Sequence, residues 1–244
     1  MATLRLDGAV VAVVGAGGVL GAAISRHLAG RGASVVLAGR TAEPLDATAA
    51  SDPRLADAPR VVCDVRDPAA GDALVAAALA AHSRLDGLVL AHGVVAFGDL
   101  LDTDDETIEE LFLTNVVGPL WLLRRVVPVL GAPPAGGDGK GSGGFVANLS
   151  AVVAEQPLAG MTSYSASKAA LTAAGVALAR ELRRRGITVC DVRPPHTETG
   201  LATRPLAGTA PRLPEGLDPE VVAARVVAAI EAGEREVPAA NFGS

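Results

Sequence analysis

The chain has 244 residues, half of them hydrophobic but only 2% aromatic, and a net charge of −6. That length allows a sizeable core in one large domain over residues 1–244, and an interior of Ala, Val and Leu suits a parallel sheet covered by close-packed helices. The basic residues are scattered apart from Arg183, Arg184 and Arg185, which excludes a nucleic-acid footprint and leaves small molecules or other protein chains as partners.

In chain order, short Val-rich runs alternate with longer Ala- and Leu-rich ones. The first strand, 9–14, runs into Gly15, Gly17, Gly18, Leu20 and Gly21, then a helix near 19–30 closed by Arg31 and Gly32. A glycine-rich turn there lets a pyrophosphate meet free N–H groups at the helix N-terminus; a tight turn without a ligand has the same composition. Nothing from Gly8 to Ser25 is charged, but the glycines, Asp7 and the lack of a cationic lead argue against a membrane span or signal peptide. The second strand, 34–38, ends at Gly39 and Arg40, beside the place of an adenine ribose. A guanidinium there favours a 2′-phosphate, hence NADP(H) over NAD(H), unless it is only a solvated strand-end charge.

A short helix near 42–50 precedes the third strand, 60–63, which ends at Asp64 and Val65. A helix near 68–82 leads to the fourth strand, 87–91, with His92 and Gly93 at its tip, and then to a long helix over 106–130 that carries Asn115. The composition of 131–144 marks a flexible surface loop. The fifth strand, 144–149, ends at Ser150 and Ala151 and precedes a helix over 163–185 that begins with Tyr164 and Lys168. At i and i+4 these two share a helix face, so an ammonium stands close to a phenol and can lower its pKa from near 10. The sixth strand, 187–192, is followed by a Pro- and Gly-rich, lid-like segment over 194–216, a helix near 218–232 opened by Asp218 and Pro219, and a weak strand at 235–237.

This alternation predicts an α/β fold, a doubly wound parallel sheet of about seven strands with helices on both faces. Cys63 and Cys190 lie in apolar strand-like runs and read as small buried hydrophobes, consistent with a reducing, cytoplasmic compartment. His27, His82, His92 and His196 show no metal-ligand spacing, so no metal is expected.

From residue 8 to about 232 the chain resembles the short-chain dehydrogenase/reductase family. The resemblance rests on the glycine turn, which keeps the first and last glycines of the family motif as Gly15 and Gly21, and on Tyr164 and Lys168 after the fifth strand. It implies a Rossmann-like fold, a nicotinamide cofactor and a carbonyl or alcohol substrate. Tyr164 would be the general acid/base, Lys168 would hold the nicotinamide ribose, and Asn115 would join a proton relay. Asp64 and Val65 match the adenine contact, Gly93 is kept from the family's Asn-Asn-Ala-Gly, and Pro194 stands where its Pro-Gly begins. Thr197 and Thr199 fall where relatives contact the nicotinamide carboxamide.

Val14 and Val19 depart from the glycine motif, and His92 replaces an alanine, either as a structural histidine or as a group with a role in the chemistry. The family's second serine, thirteen positions before the tyrosine, is here Ala151. Ser150 is the remaining candidate on that strand, although alternation points it the other way; Thr162, Ser163 or a water are further replacements. Two readings follow: an NADP(H)-dependent reductase or dehydrogenase with a largely apolar pocket, and a cofactor-binding sensor or partner subunit without turnover. Apolar residues on more than one face of the helices around 111–130 and 169–182 imply a homodimer or homotetramer.

Overall fold

Successive side chains of a strand point to opposite faces, and in this chain both sets are apolar. Val11 and Val13 meet Ile24, Leu28, Val222, Val226 and Ile230 on one side. Val10, Ala12 and Val14 meet Leu74, Ala78, Leu122 and Val126 on the other. A strand buried on both faces belongs in a parallel sheet between helical layers. The computed structural model, which describes residues 4–132 and 143–243, has that architecture.

Seven strands, β1 (Val10–Val14), β2 (Ser34–Gly39), β3 (Arg60–Val62), β4 (Gly87–Leu90), β5 (Gly144–Leu149), β6 (Ile187–Val192) and β7 (Glu236–Val237), form one sheet. The order is β3-β2-β1-β4-β5-β6-β7 and every neighbouring pair is parallel. The helices are α1 (Val19–Gly30), α2 (Ala42–Ala50), α3 (Ala70–His82), α4 (Asp105–Phe112), α5 (Gly118–Val126), α6 (Thr162–Leu182) and α7 (Pro219–Ala232). The order reverses between β1 and β4, and at such a switch point the loops at the carboxyl ends of the strands diverge and leave a crevice.

Two sequence expectations change, and a third is not tested. The helix over 106–130 is interrupted: α4 and α5 are separated by a π-turn over Leu113–Val117, in which Gly118 N–H bonds the Leu113 carbonyl. Pro119, without an N–H, cannot continue an ordinary ladder there. Cys63 is only partly buried, because β3 is an edge strand, whereas Cys190 is buried and both are free thiols. Of the loop expected over 131–144, residues 133–142 lie outside the described residues. Gly32 and Gly186 adopt the left-handed conformation that the Arg-Gly pairs imply.

Candidate active site

The glycine turn is built by exclusion. Gly15 leaves β1 at φ +90°, and a Cβ there would stand 2.8 Å from the Ala91 carbonyl carbon and from the His92 nitrogen. A Cβ on Gly21 would stand 2.1 Å from the Gly15 carbonyl oxygen, so helix and strand can approach only at glycine. Gly18 is the N-cap of α1, with no side-chain cap and no acidic residue in the first turn, which leaves backbone N–H groups facing the crevice. Val19, where the family motif has glycine, is 49% exposed, so its side chain stands in solvent and does not fill the turn. Leu20 packs its side chain on the core, so only its backbone faces the turn. This cradle, which a single Cβ would fill, fits a pyrophosphate. Gly21→Ala is therefore expected to destabilise the fold by about 1–3 kcal/mol and to weaken dinucleotide binding by about tenfold or more, read by urea melts and by cofactor titration.

At the other end of the crevice, Arg40 is exposed just past β2. Asp64 follows β3, and Arg66 grips its carboxylate through Nε at 3.0 Å and Nη2 at 2.6 Å, holding its pKa below the usual range. Arg66 also reaches Glu110 at 3.0 Å. Val65 is buried, and its carbonyl would lie 2.6 Å from a Cβ on Gly118, so the π-turn packs directly beneath this segment.

Tyr164 and Lys168 lie in the first turns of α6, 7% and 4% exposed, with Lys168 Nζ 6.0 Å from the phenol ring centre. Burial pushes the phenol pKa well above its ordinary value, which corrects the lowering expected from the neighbouring Lys168 ammonium: the loss of solvent around the ring dominates. Burial also lowers the ammonium from 10.5 to about 8, opposed by the charge of Asp191. Lys168 Nζ donates to the Leu149 carbonyl at 3.1 Å. Asn115, in the π-turn, clamps Val94 from both sides: its Oδ1 accepts from Val94 N–H and its Nδ2 donates to the Val94 carbonyl, each at 2.9 Å. Nδ2 also donates to Ser167 Oγ at 3.1 Å. Gly93 completes the cluster, since a Cβ there would lie 3.1 Å from both Asn115 Oδ1 and Lys168 Nζ. Gly93, Asn115, Tyr164 and Lys168 are thus brought together.

Ser150 is not part of that group. Its hydroxyl donates to Asp191 Oδ1 and the Val192 carbonyl, both at 3.2 Å, because the β5–β6 pairing turns it toward β6. This corrects its candidacy as a donor to substrate. The methyl of Ala151 packs on an apolar cluster of Val95, Phe97, Val153, Met161 and the Tyr164 ring. The segment 194–216 closes over this cluster: Leu206 N–H bonds the Val95 carbonyl at 2.8 Å and Phe97 N–H bonds the Ala207 carbonyl at 3.0 Å. Pro194 is buried and its carbonyl accepts from Val152 N–H at 3.0 Å. Thr197 Oγ1 donates to the Pro195 carbonyl at 2.9 Å, and Thr199 Oγ1 accepts from Leu201 N–H at 3.3 Å.

Sequence reasoning missed the charged group behind Ser150. Asp191 accepts from Thr172 Oγ1 at 3.1 Å and from Arg193 at 3.2 Å, and Arg193 also binds Glu155 and Glu236. The available signal was an aspartate and an arginine two apart at the end of an apolar strand, and Thr172 one turn beyond Lys168. Among the described residues no helix is long and apolar enough to cross a membrane, and no His, Cys, Asp and Glu group could hold a metal ion.

The short chain dehydrogenase family model matches residues 9–207. Galactitol 2-dehydrogenase (L-tagatose-forming) of Cereibacter sphaeroides is 35% identical over 204 residues, which is 82% of this chain and 76% of that protein. The 3-oxoacyl-(acyl-carrier-protein) reductase FabG of Escherichia coli strain K12 is 30% identical over 218 residues, 87% of this chain and 85% of its own. A short chain dehydrogenase from Burkholderia cenocepacia J2315, solved in complex with NADP, superposes with a TM-score of 0.82 at 29% identity, covering 97% of this chain and 98% of that one. With the glycine cradle at the sheet's switch point and Tyr164 and Lys168 on one face of α6, this chain belongs to the short-chain dehydrogenase family of oxidoreductases, which act between CH–OH and C=O.

Proposed function

We propose that the chain is an NADP(H)-dependent carbonyl reductase or alcohol dehydrogenase acting on an apolar substrate, with Tyr164 as its general acid/base. The observation that carries this reading is the burial of Tyr164 and Lys168 side by side next to the glycine cradle. A bound nicotinamide dinucleotide would supply the hydride. The turn from Gly15 to Gly21 offers its N–H groups to the pyrophosphate, Asp64 and Val65 border the adenine, and Arg40 takes the 2′-phosphate. Lys168 and Tyr164 hold the nicotinamide ribose, with Pro194, Thr197 and Thr199 at the carboxamide. Tyr164 carries its proton at neutral pH, the state needed to protonate an oxygen that is receiving hydride, and the Lys168 ammonium beside it would stabilise the phenolate left behind. Asn115 fixes Val94 and thereby the backbone beside Lys168. Val95, Phe97, Val153 and Met161 form the wall that excludes water from the reacting oxygen. Exposed Leu120 on α5 and Val176 on α6 support pairing of these helices in a homo-oligomer.

One observation favours the second reading, a cofactor-binding sensor or partner subunit: the methyl of Ala151, with Ser150 turned away, leaves the substrate oxygen without a serine donor. Oxidation of NADPH in the presence of apolar ketones and quinones separates the two. The enzyme reading expects turnover, and a preference for NADPH over NADH that falls by about tenfold or more in Arg40→Asp, which exchanges an attraction to the 2′-phosphate for a repulsion. Tight NADPH binding without oxidation by any carbonyl would establish the second reading.

A further inference from the structure

One buried charge, Asp191, has no part in the reaction described above. It is 2% exposed, and the sheet sets its place. Asn148 and Ser150 stand two apart on β5, so their side chains share one face, and Asp191 is the register partner of Asn148 on β6. Helix α6 covers that face closely: a Cβ on Gly175 would stand 2.9 Å from Asn148 Nδ2 and 3.9 Å from Asp191 Oδ1. Two hydroxyls fix the carboxylate, Ser150 Oγ donating to Oδ1 at 3.2 Å and Thr172 Oγ1 to Oδ2 at 3.1 Å. Both donors adjoin Lys168. Thr172 is one helical turn beyond it on α6, and Ser150 follows Leu149, whose carbonyl accepts from Lys168 Nζ at 3.1 Å. Carboxylate and ammonium therefore share one buried layer between α6 and the sheet.

The charges in this layer do not cancel among themselves. Arg193 reaches Asp191 through Nη1 at 3.2 Å, Glu155 through Nε at 2.5 Å and Glu236 through Nη2 at 2.8 Å. One guanidinium serves three carboxylates, which leaves the group with an excess of negative charge. A buried ammonium has lost its hydration and is favoured by an opposite charge close by. The other groups against Lys168 supply none: Tyr164 on α6 is a neutral phenol, and Asn115 in the π-turn and Gly93 after β4 are uncharged. His92, before Gly93, is neutral as well, since burial and then Lys168 lower its pKa to about 4. Burial raises the pKa of Asp191, and the bonds from Thr172, Arg193 and Ser150 oppose that rise.

We propose that Asp191 is a positioning residue of the active site, the counter-charge that lets Lys168 remain an ammonium although it is buried. The proposal rests on the reading above, in which a charged Lys168 serves Tyr164 and the nicotinamide ribose, and adds the source of that charge. It also gives Ser150 a purpose, since the hydroxyl that turns away from the substrate oxygen holds the counter-charge instead. The charge of Asp191 opposes the lowering that burial imposes on Lys168.

The chain has two lysines, Lys140 and Lys168, so the ammonium can be followed directly in the whole protein. Isotope-labelled lysine gives two side-chain resonances, and that of Lys140 is identified by its loss in Lys140→Arg. Titrated without cofactor, Asp191→Asn, which keeps the size of the side chain and removes its charge, is expected to lower the Lys168 midpoint by about one pH unit. Ser150→Ala leaves the carboxylate in place, held by Thr172 and Arg193, and should keep the midpoint within about 0.3 unit of wild type. Calorimetry with NADP+ reads the consequence. Affinity falls as pH rises through the Lys168 midpoint, and in Asp191→Asn that fall begins lower, so binding at about pH 8 is roughly fivefold weaker than in wild type. Should Asp191→Asn fail to fold, Glu155→Gln, which removes one carboxylate from the Arg193 group, should move the Lys168 midpoint down by about 0.3 unit, and no movement there would be the overturning result. A midpoint equal in Asp191→Asn and wild type, or one lowered as much by Ser150→Ala, would also overturn the proposal. Failure of wild type to bind NADP+ would instead overturn the dinucleotide reading, and the lysine titration, made without cofactor, would still decide for or against Asp191.

Discussion

Tyr164→Phe is expected to reduce NADPH-dependent carbonyl reduction by about 100- to 10,000-fold, the usual contribution of a positioned general acid. The fold should survive, because phenylalanine keeps the ring that packs among Val95, Phe97, Val153 and Met161 and removes only the hydroxyl. Cofactor affinity is expected to stay within about threefold, since one neutral hydrogen bond to a ribose is worth roughly 0.5–1.5 kcal/mol. The separation of the two effects is the informative part: kcat falls while the NADP+ dissociation constant hardly moves. Equal turnover in the variant would remove Tyr164 from the chemistry, and a parallel loss of cofactor binding would make its role structural.

Ala151→Ser is expected to act in the opposite direction and to raise kcat/KM by up to about 100- to 1000-fold, because one preorganised donor to a developing oxyanion is worth roughly 2.7–4 kcal/mol. The substitution adds a single oxygen at a position where the backbone is extended, φ −173° and ψ 164°, which serine adopts without strain. Its side chain lies against the apolar cluster that includes the Tyr164 ring, so the new hydroxyl would be added on the Tyr164 side of the strand end. An unchanged rate would mean that the substrate oxygen already has a donor, or that it does not dock over Ala151. Steady-state kinetics on wild type and variant, with the same ketone, distinguish these outcomes from a loss of folding when paired with a melting curve.

Much of the frame was legible because it depends on short-range rules. The inner strands were readable from Val-rich runs with both faces apolar, the edge strands β3 and β7 less so, and the ends of α1 and α6 from Arg-Gly pairs whose glycines adopt the left-handed conformation. The glycine turn was legible in position, but not in what it excludes: the 2.1 Å approach of Gly21 to the Gly15 carbonyl is a contact between two elements. The departure at Val19 lost its weight once the side chain was found in solvent.

The π-turn around Asn115 was not legible. The apolar spacing runs on from α4 into α5, and a one-residue widening of the ladder leaves little trace in such a pattern, although Pro119 was a hint. Nor was the charged group of Asp191, Arg193, Glu155 and Glu236, whose members come from distant parts of the chain.

By itself, the sequence determined the order of the elements, the parallel sheet and the presence of Tyr164 and Lys168 one turn apart, because those depend on periodicity and on neighbours along the chain. Tertiary structure decided where the polar atoms went. The β5–β6 register committed Ser150 to Asp191, and the π-turn aimed Asn115 at Val94. Hydrogen bonds depend on the distance and direction between groups far apart in the chain, and only the packed sheet sets those.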